Sequence, residues 1–153
     1  VSDLLIRPEP YSGWHELAEA QGAFEAHWRE VEHHHDQVPL AIDHDAYLHL
    51  ERLGLLYCAV ARDKWRIAGY TVWMLGPSLH HRTIRQAQCD AIYVAPEYRP
   101  AGTADRLLEQ ALVDLKASAV TLALLPTSRR KPLGGWLKRH GFAAQGEIHG
   151  RLL

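Results

Sequence analysis

Apolar residues recur at Ala104, Leu107, Leu108, Ala111, Leu112 and Leu115, the i, i+3, i+4, i+7, i+8 and i+11 positions of one helical face. That spacing predicts an amphipathic helix laid on a core. Just before it, Ala91 to Val94 is a short run with β-branched and aromatic members, stopped at Pro96, which has no N–H to give to a sheet ladder. Thr83 to Val94 therefore reads as one long central strand. Leu55 to Arg62 and Trp65 to Leu75 precede it as two further strands joined at the polar pair Asp63-Lys64, so the three form an antiparallel meander.

Towards the amino terminus, Asp3 to Arg7 predicts a first strand ended by Pro8. Ser12 is placed to cap a helix whose Trp14, Leu17, Ala18 and Gln21 share a face. Gly22 interrupts it, and Phe24, Trp28, Val31 and His35 then repeat at helical spacing through Glu32 and beyond. Asp43 opens a third helix, with Ala46, Leu50 and Leu53 inward and Gly54 as its stop. After the long helix, Ala119 to Leu125 predicts a strand bounded by Pro126, and a strand-helix-strand connection sets it parallel to the central strand with a right-handed crossover. Pro132 suits the first turn of a last helix with Trp136, Leu137 and His140 inward and Gly141 at its end, and Glu147 to Leu153 closes the sheet.

A chain of 153 residues is long enough for one domain, residues 1–153, whose core needs neither disulfide nor metal. With 47% hydrophobic residues and a net charge of −1 there is no basic field to argue for nucleic acid, and the apolar runs are too short to cross a membrane. Cys58 and Cys89 make no CxxC pair and lie in strand-like runs, so buried free thiols in a reducing cytoplasm are expected.

Between the central strand and the long helix lies Tyr98-Arg99-Pro100-Ala101-Gly102-Thr103-Ala104. Small residues running directly into a helix N-terminus favour an anion, because the first-turn N–H groups have no intrahelical partner and the macrodipole adds partial positive charge. Arg99-x-x-Gly102-x-Ala104 resembles the Arg/Gln-x-x-Gly-x-Gly/Ala signature of the GCN5-related N-acetyltransferases (GNAT superfamily), which use this turn for the pyrophosphate of acetyl-CoA. The preceding Ile92-Tyr93-Val94-Ala95-Pro96-Glu97-Tyr98, the amphipathic helix, the next strand and Trp136-Leu137-Lys138-Arg139-His140-Gly141-Phe142 all fall in the superfamily's order.

The resemblance implies an α/β (α+β) fold of order β-α-α-β-β-β-α-β-α-β, with a central mixed, mostly antiparallel twisted sheet of six to seven strands flanked by helices. It also implies an acetyl-CoA co-substrate and a primary amine as acceptor, and it leaves a homodimer open. The cofactor residues it implies are Ile92, Tyr93 and Val94, whose exposed backbone pairs with the pantetheine arm, together with Arg99, Pro100, Ala101, Gly102, Thr103 and Ala104 in the turn. Ser128-Arg129-Arg130-Lys131 is a basic run that could meet the CoA 3′-phosphate or be a solvated face.

His27-Trp28-Arg29-Glu30-Val31, Val38-Pro39-Leu40, Tyr47-Leu48-x-Leu50-Glu51-x-x-Gly54, His80-x-Arg82-Thr83 and Gln86 resemble a subgroup found in tailed phages and prophages. In the superfamily the first helices wall the acceptor site, which assigns acceptor-side roles to His27 and Glu30. A histidine or carboxylate there could relay the amine proton. His27, Glu30 and His34, at i, i+3 and i+7 with His33, His35 and Asp36 nearby, could also bind zinc. Histidines favoured by the dipole at a helix end need no metal, so none is expected.

Gln88, Asp90, Ile92 and Val94 share parity along the central strand and, absent a bulge, face one side. Asp90 lies close to where some superfamily members carry a carboxylate base, which makes it the candidate general base or water-positioning residue. A structural aspartate bonded to the neighbouring strand is the competing reading. Cys89 has opposite parity and no paired histidine, so it is no acyl-carrying nucleophile.

Two departures from the superfamily pattern stand out. Pro100 removes one N–H from the phosphate turn. The last helix of many members carries a tyrosine that protonates the leaving thiolate, in a segment like Leu-Tyr-x-x-x-Gly-Phe, yet no tyrosine follows Tyr98 here; water or His140 would have to serve. The expected activity is direct acetyl transfer from CoA to an amine. The competing expectation is a CoA-binding or catalytically silent module of the same fold, for instance a virion-associated component.

Overall fold

The computed structural model describes residues 4–153, so Asp3 of the expected first strand lies outside them. Five strands form one sheet in the order β1 (Leu5–Pro8), β2 (Leu56–Asp63), β3 (Arg66–Ser78), β4 (His81–Val94) and β5 (Leu122–Leu124). The first four are antiparallel neighbours. β5 runs parallel to β4 and meets it only from Gln86↔Leu122 to Gln88↔Leu124.

One face of the sheet is covered by α1 (His15–Ala20), α2 (Ala23–Val31) and α3 (His44–Arg52). Its core joins Tyr11, Trp14, Ala18 and Phe24 to Val60, Tyr70, Val72 and Tyr93. On the other face lie α4 (Thr103–Ala117) and α5 (Gly134–Arg139). Leu107, Leu108, Ala111 and Leu115 of α4 are buried there against the sheet, as the apolar spacing predicts. Gly69 of β3 lets α4 approach: a Cβ there would meet the Tyr93 carbonyl oxygen at 2.7 Å and Leu107 Cδ1 at 3.1 Å.

Several elements differ from expectation, each for a local reason. The first helix starts at His15 after a 3-10 turn over Tyr11–Gly13. Ser12 is therefore no cap, and its N–H reaches Glu51 Oε1 at 3.2 Å. α2 ends at Val31 because Glu32 turns extended (ψ 127°), so His34 leaves the face carrying His27 and Glu30. Among the described residues no group of three metal-ligating side chains forms.

Asp43 does cap α3, accepting from the Ala46 N–H at 2.9 Å, and Gly54 stops it at φ +69°. The inward face is Tyr47 and Leu48, while Ala46 and Leu53 are exposed. α4 closes with Ala119 at φ +63° and Val120 N–H on the Leu115 carbonyl (3.0 Å), a left-handed cap that delays β5 to Leu122.

Pro132 precedes α5 rather than opening it. Glu147 to Leu153 does not join the sheet: with Gly146 and Gly150 flanking Ile148, and only three residues of β5 to pair with, no ladder forms. The described sheet therefore has five strands rather than six to seven.

Candidate active site

At the carboxyl end of β4 the chain prepares a slot. β5 leaves β4 beyond Gln88, so among the described residues no strand lies beside this β4 edge from Asp90 to Val94. The Ala95 N–H donates to the Ala68 carbonyl at 2.9 Å, which fixes the ladder phase. Alternation then turns the N–H and C=O of Ile92 and Val94 away from β3, into the gap. Tyr93 is different: its ring is buried against α2 and its backbone faces β3.

The register shifts by one residue between Val72↔Ala91 and Trp73↔Cys89, leaving Asp90 as the extra residue of a β-bulge. The bulge overturns the shared parity of Gln88, Asp90, Ile92 and Val94. Ala87 and Cys89 point to the α4 side, and past the bulge so do Ile92 and Val94, whereas Asp90 reaches α3 on the opposite face. There it accepts the Tyr47 hydroxyl at 2.5 Å. Cys89 is buried, and burial pushes its thiol up to about 12, as it does for Cys58, so neither is a nucleophile at neutral pH.

The turn after β4 is a 3-10 segment over Pro96–Ala101 ending at Gly102, which adopts φ +67° and ψ 24°. Glycine takes this left-handed conformation without the Cβ clash that burdens other residues. The Arg106 N–H makes the first bond of α4, to the Gly102 carbonyl, so the Thr103, Ala104 and Asp105 amides stand at its open first turn. The Thr103 hydroxyl is spent on the Tyr98 carbonyl at 2.8 Å and Thr103 is fully buried, leaving only its backbone for a ligand. Ala104 packs on the core beside Val94 and Leu107.

Arg99 does not point freely from this turn. Its Nε donates to the Val94 carbonyl at 2.9 Å and its guanidinium bonds Glu30 Oε2 at 2.6 Å. The other oxygen of Glu30 pairs with Lys131. The basic run is likewise docked on the end of α2: Ser128 Oγ donates to the Val31 carbonyl (2.5 Å) and Arg130 to the Arg29 carbonyl (3.2 Å). One carboxylate of α2 thus links the chain that follows β4 to the chain that follows β5.

His27, one turn earlier on α2, has Nδ1 2.9 Å from the Tyr70 hydroxyl and its ring stacked on Tyr93 at 5.2 Å. Burial, with Lys131 and Arg99 nearby, pushes its imidazole down to about 4, so it is neutral at pH 7. His27, Glu30 and Asp90 therefore lie on one side of the sheet, and Ile92, Val94 and the Gly102 turn line the slot beside them.

At the edge of the turn stands Asp105, which the motif alone did not single out; its Oδ2 would lie 3.9 Å from a Cβ on Gly102. Trp136 Nε1 and His140 Nε2 each meet its Oδ1 at 2.8 Å, and His140 Nδ1 meets Glu109 at 2.9 Å. Asp105 and Glu109 hold the His140 pKa above its ordinary value, and Trp136 and His140 hold the Asp105 carboxyl below its own. His140 is committed to this cluster. Leu137, four residues before Gly141, is buried in the α4–sheet core and offers no acid.

No family model matches the sequence, and no curated protein matches it in sequence. Solved structures do match in shape. An acetyltransferase of Trypanosoma brucei superposes with a TM-score of 0.72 at 18% identity, over 99% of this chain and 100% of the other. A predicted acetyltransferase of Clostridium acetobutylicum, solved with acetyl-CoA, gives 0.70 at 16% identity over 97% and 96%. An aminoglycoside acetyltransferase from an uncultured soil sample gives 0.72 at 12% over 98% and 95%. The chain has the mixed α/β fold shared by these GNAT-type acetyltransferases.

Proposed function

We propose that the protein is an acetyl-CoA-dependent N-acetyltransferase, a single GNAT-like unit over residues 1–153 that moves the acetyl group directly to a primary amine. The observation that carries this reading is the open edge of β4, with the N–H and C=O of Ile92 and the N–H of Val94 turned into a gap that ends at the Gly102 turn and the open first turn of α4. Pantetheine would pair there as an added strand, its pyrophosphate held by the Ala101 to Asp105 backbone rather than by the side chain of Arg99.

In the reaction, the acceptor's ammonium gives one proton to Asp90 or to a water that Asp90 holds. The amine lone pair attacks the thioester carbonyl carbon, the C–S bond breaks, and the thiolate takes a second proton from the attacking nitrogen. The products are the acetamide, CoA thiol and one proton released to solvent. His27, neutral at pH 7, lines the acceptor side with the ring of Tyr93, and Glu30 braces the slot. Membership of the phage and prophage subgroup rests on the sequence resemblance, and a cytoplasmic setting on the free, buried Cys58 and Cys89.

A second reading, a CoA-binding or silent module, is favoured by three particulars: Pro100 lacks an amide, Asp105 sets a carboxylate beside the anion turn, and Leu137 stands where a thiolate acid would. Calorimetric titration of acetyl-CoA into wild type and Gly102→Glu tests the proposal. Saturable binding in the wild type and its loss in a folded variant is the expected result. No binding by wild type refutes both readings, while binding without turnover of any amine leaves the second.

A further inference from the structure

Asp90 owes its position to two separate devices. The bulge in β4 brings its carboxylate out on the face of α1 to α3, where the residue is exposed. α3 then meets it with a donor, the Tyr47 hydroxyl at 2.5 Å from Oδ2. Among the described residues Oδ1 accepts no hydrogen bond.

Tyr47 is itself immobilised. Its ring stacks on Tyr11 at 4.8 Å with 22° between planes, and Tyr11 stacks in turn on His15 at 4.8 Å and 10°. The Tyr11 hydroxyl is 2.8 Å from His44 Nδ1, and His44 Nε2 is 3.2 Å from Glu19 Oε1. The Asp43 cap fixes the start of α3, one turn before Tyr47. A phenol held this way serves a purpose beyond burial, because its one polar atom is aimed at an exposed carboxylate that could otherwise be solvated by water.

The titratable groups near Asp90 on its own face include Tyr11, Tyr47, Cys58 and Tyr70. Burial raises all four above their ordinary values, so each is protonated and uncharged at neutral pH, and Tyr47 remains a donor.

We infer that Tyr47 is a positioning residue for acetyl transfer: by occupying Oδ2 it fixes the Asp90 carboxylate and leaves Oδ1 to receive the acceptor's ammonium. The inference rests on the proposed transferase activity. It assigns the first contact of a cationic amine to a single oxygen, with a neutral aromatic wall of Tyr11 and Tyr47 beside it.

Tyr47→Phe keeps the stack on Tyr11 and removes only the donor, so it is the informative variant. Thiol release from acetyl-CoA is followed with a panel of primary amines: ethanolamine, spermidine and a lysine-bearing peptide. The expected result is a kcat/KM about tenfold lower with unchanged acetyl-CoA affinity. Asp90→Asn should cost about a hundredfold, and adding Tyr47→Phe to it should cost almost nothing more, since the two act as one unit.

Additive losses overturn the inference and leave Tyr47 a packing residue. Wild type that binds acetyl-CoA but acetylates no amine overturns it too, leaving the cofactor site standing. Wild type that binds no acetyl-CoA brings down the transferase reading and this inference together. Thermal melts of each variant separate lost catalysis from lost folding.

Discussion

His27 should make the protein acid-sensitive in a way that one substitution removes. Its imidazole is half-buried between Tyr70 and Tyr93 and pushed down to about 4 from an ordinary 6.5, first by burial and then by Lys131 and Arg99. A depressed histidine pKa means that the unfolded chain binds a proton the folded chain refuses. Stability contributed by this group is therefore present above pH 6.5 and lost as pH falls towards 4. The slope approaches 1.36 kcal/mol per pH unit inside that window, which integrates to about 3 kcal/mol.

His27→Gln retains a hydrogen-bonding partner for Tyr70 and cannot titrate. Urea unfolding of both proteins at intervals from pH 4.5 to 7.5 gives the difference in unfolding free energy, from which titrations common to both proteins cancel. The variant should be the less stable at pH 7.5, and the gap should close on acidification by about 2–3 kcal/mol. A difference that stays flat with pH would refute burial as the cause, and with it the claim that His27 is neutral in the folded protein.

His140 predicts the opposite trend: its pKa is raised by Asp105 and Glu109, so its contribution is complete below pH 6.5 and lost as pH rises through the raised value. The stability gap between wild type and His140→Gln should shrink from pH 6.5 upward, and a constant gap would sink the idea. Asp105→Asn removes a negative charge from beside the Gly102 turn and should tighten acetyl-CoA binding by about three- to tenfold while lowering the melting temperature slightly, because an acid is lost from the first turn of α4. Calorimetry and a melt together test this trade. Gly69→Ala forces a methyl to 2.7 Å from the Tyr93 carbonyl oxygen, which the sheet cannot easily move, and should cost about 1–3 kcal/mol in urea unfolding. An unchanged midpoint would mean that α4 and the sheet have slack.

The parts of the fold written locally were legible in the sequence. The buried stripe of α4, the start of α3 at Asp43 and its stop at Gly54 follow from spacing and from backbone preferences that act within a few residues. What eluded the sequence depends on partners far along the chain. The bulge at Asp90 leaves no mark in alternation, because Ala91 is small enough to sit on either face, and it alone decides that Asp90 meets α3 while Ile92 faces α4. The face of α3 was misphased for a similar reason. Counting Ala46 and Leu53 as apolar passed over Tyr47, whose ring packs inward and whose hydroxyl finds a partner 43 residues away. Gly69 reads as an ordinary strand glycine until α4 is laid over it. The closing strand expected at Glu147 to Leu153 fails partly on the glycines beside Ile148 and partly on the shortness of β5, and only the first of these is written in the tail.

Long-range placement also changes what the turn after β4 is for. Arg99 begins the motif that suggested an anion site, yet its guanidinium is divided between the Val94 carbonyl and Glu30. Glu30 is shared in turn with Lys131, so three charges from α2, from the turn and from the loop after β5 close on one another across the mouth of the slot. A carboxylate between two cations repays its desolvation better than a single pair, because both oxygens are satisfied and neither cation is left alone. The consequence is mechanical as well as electrostatic. α2 and the two chain segments that flank the slot are tied together, since Glu30 of α2 holds a charge-assisted bond to each of the other two. Arg99 ties the turn to α2 and to the end of β4, which leaves the backbone amides beyond Gly102 as the groups that a phosphate would meet under the proposed function.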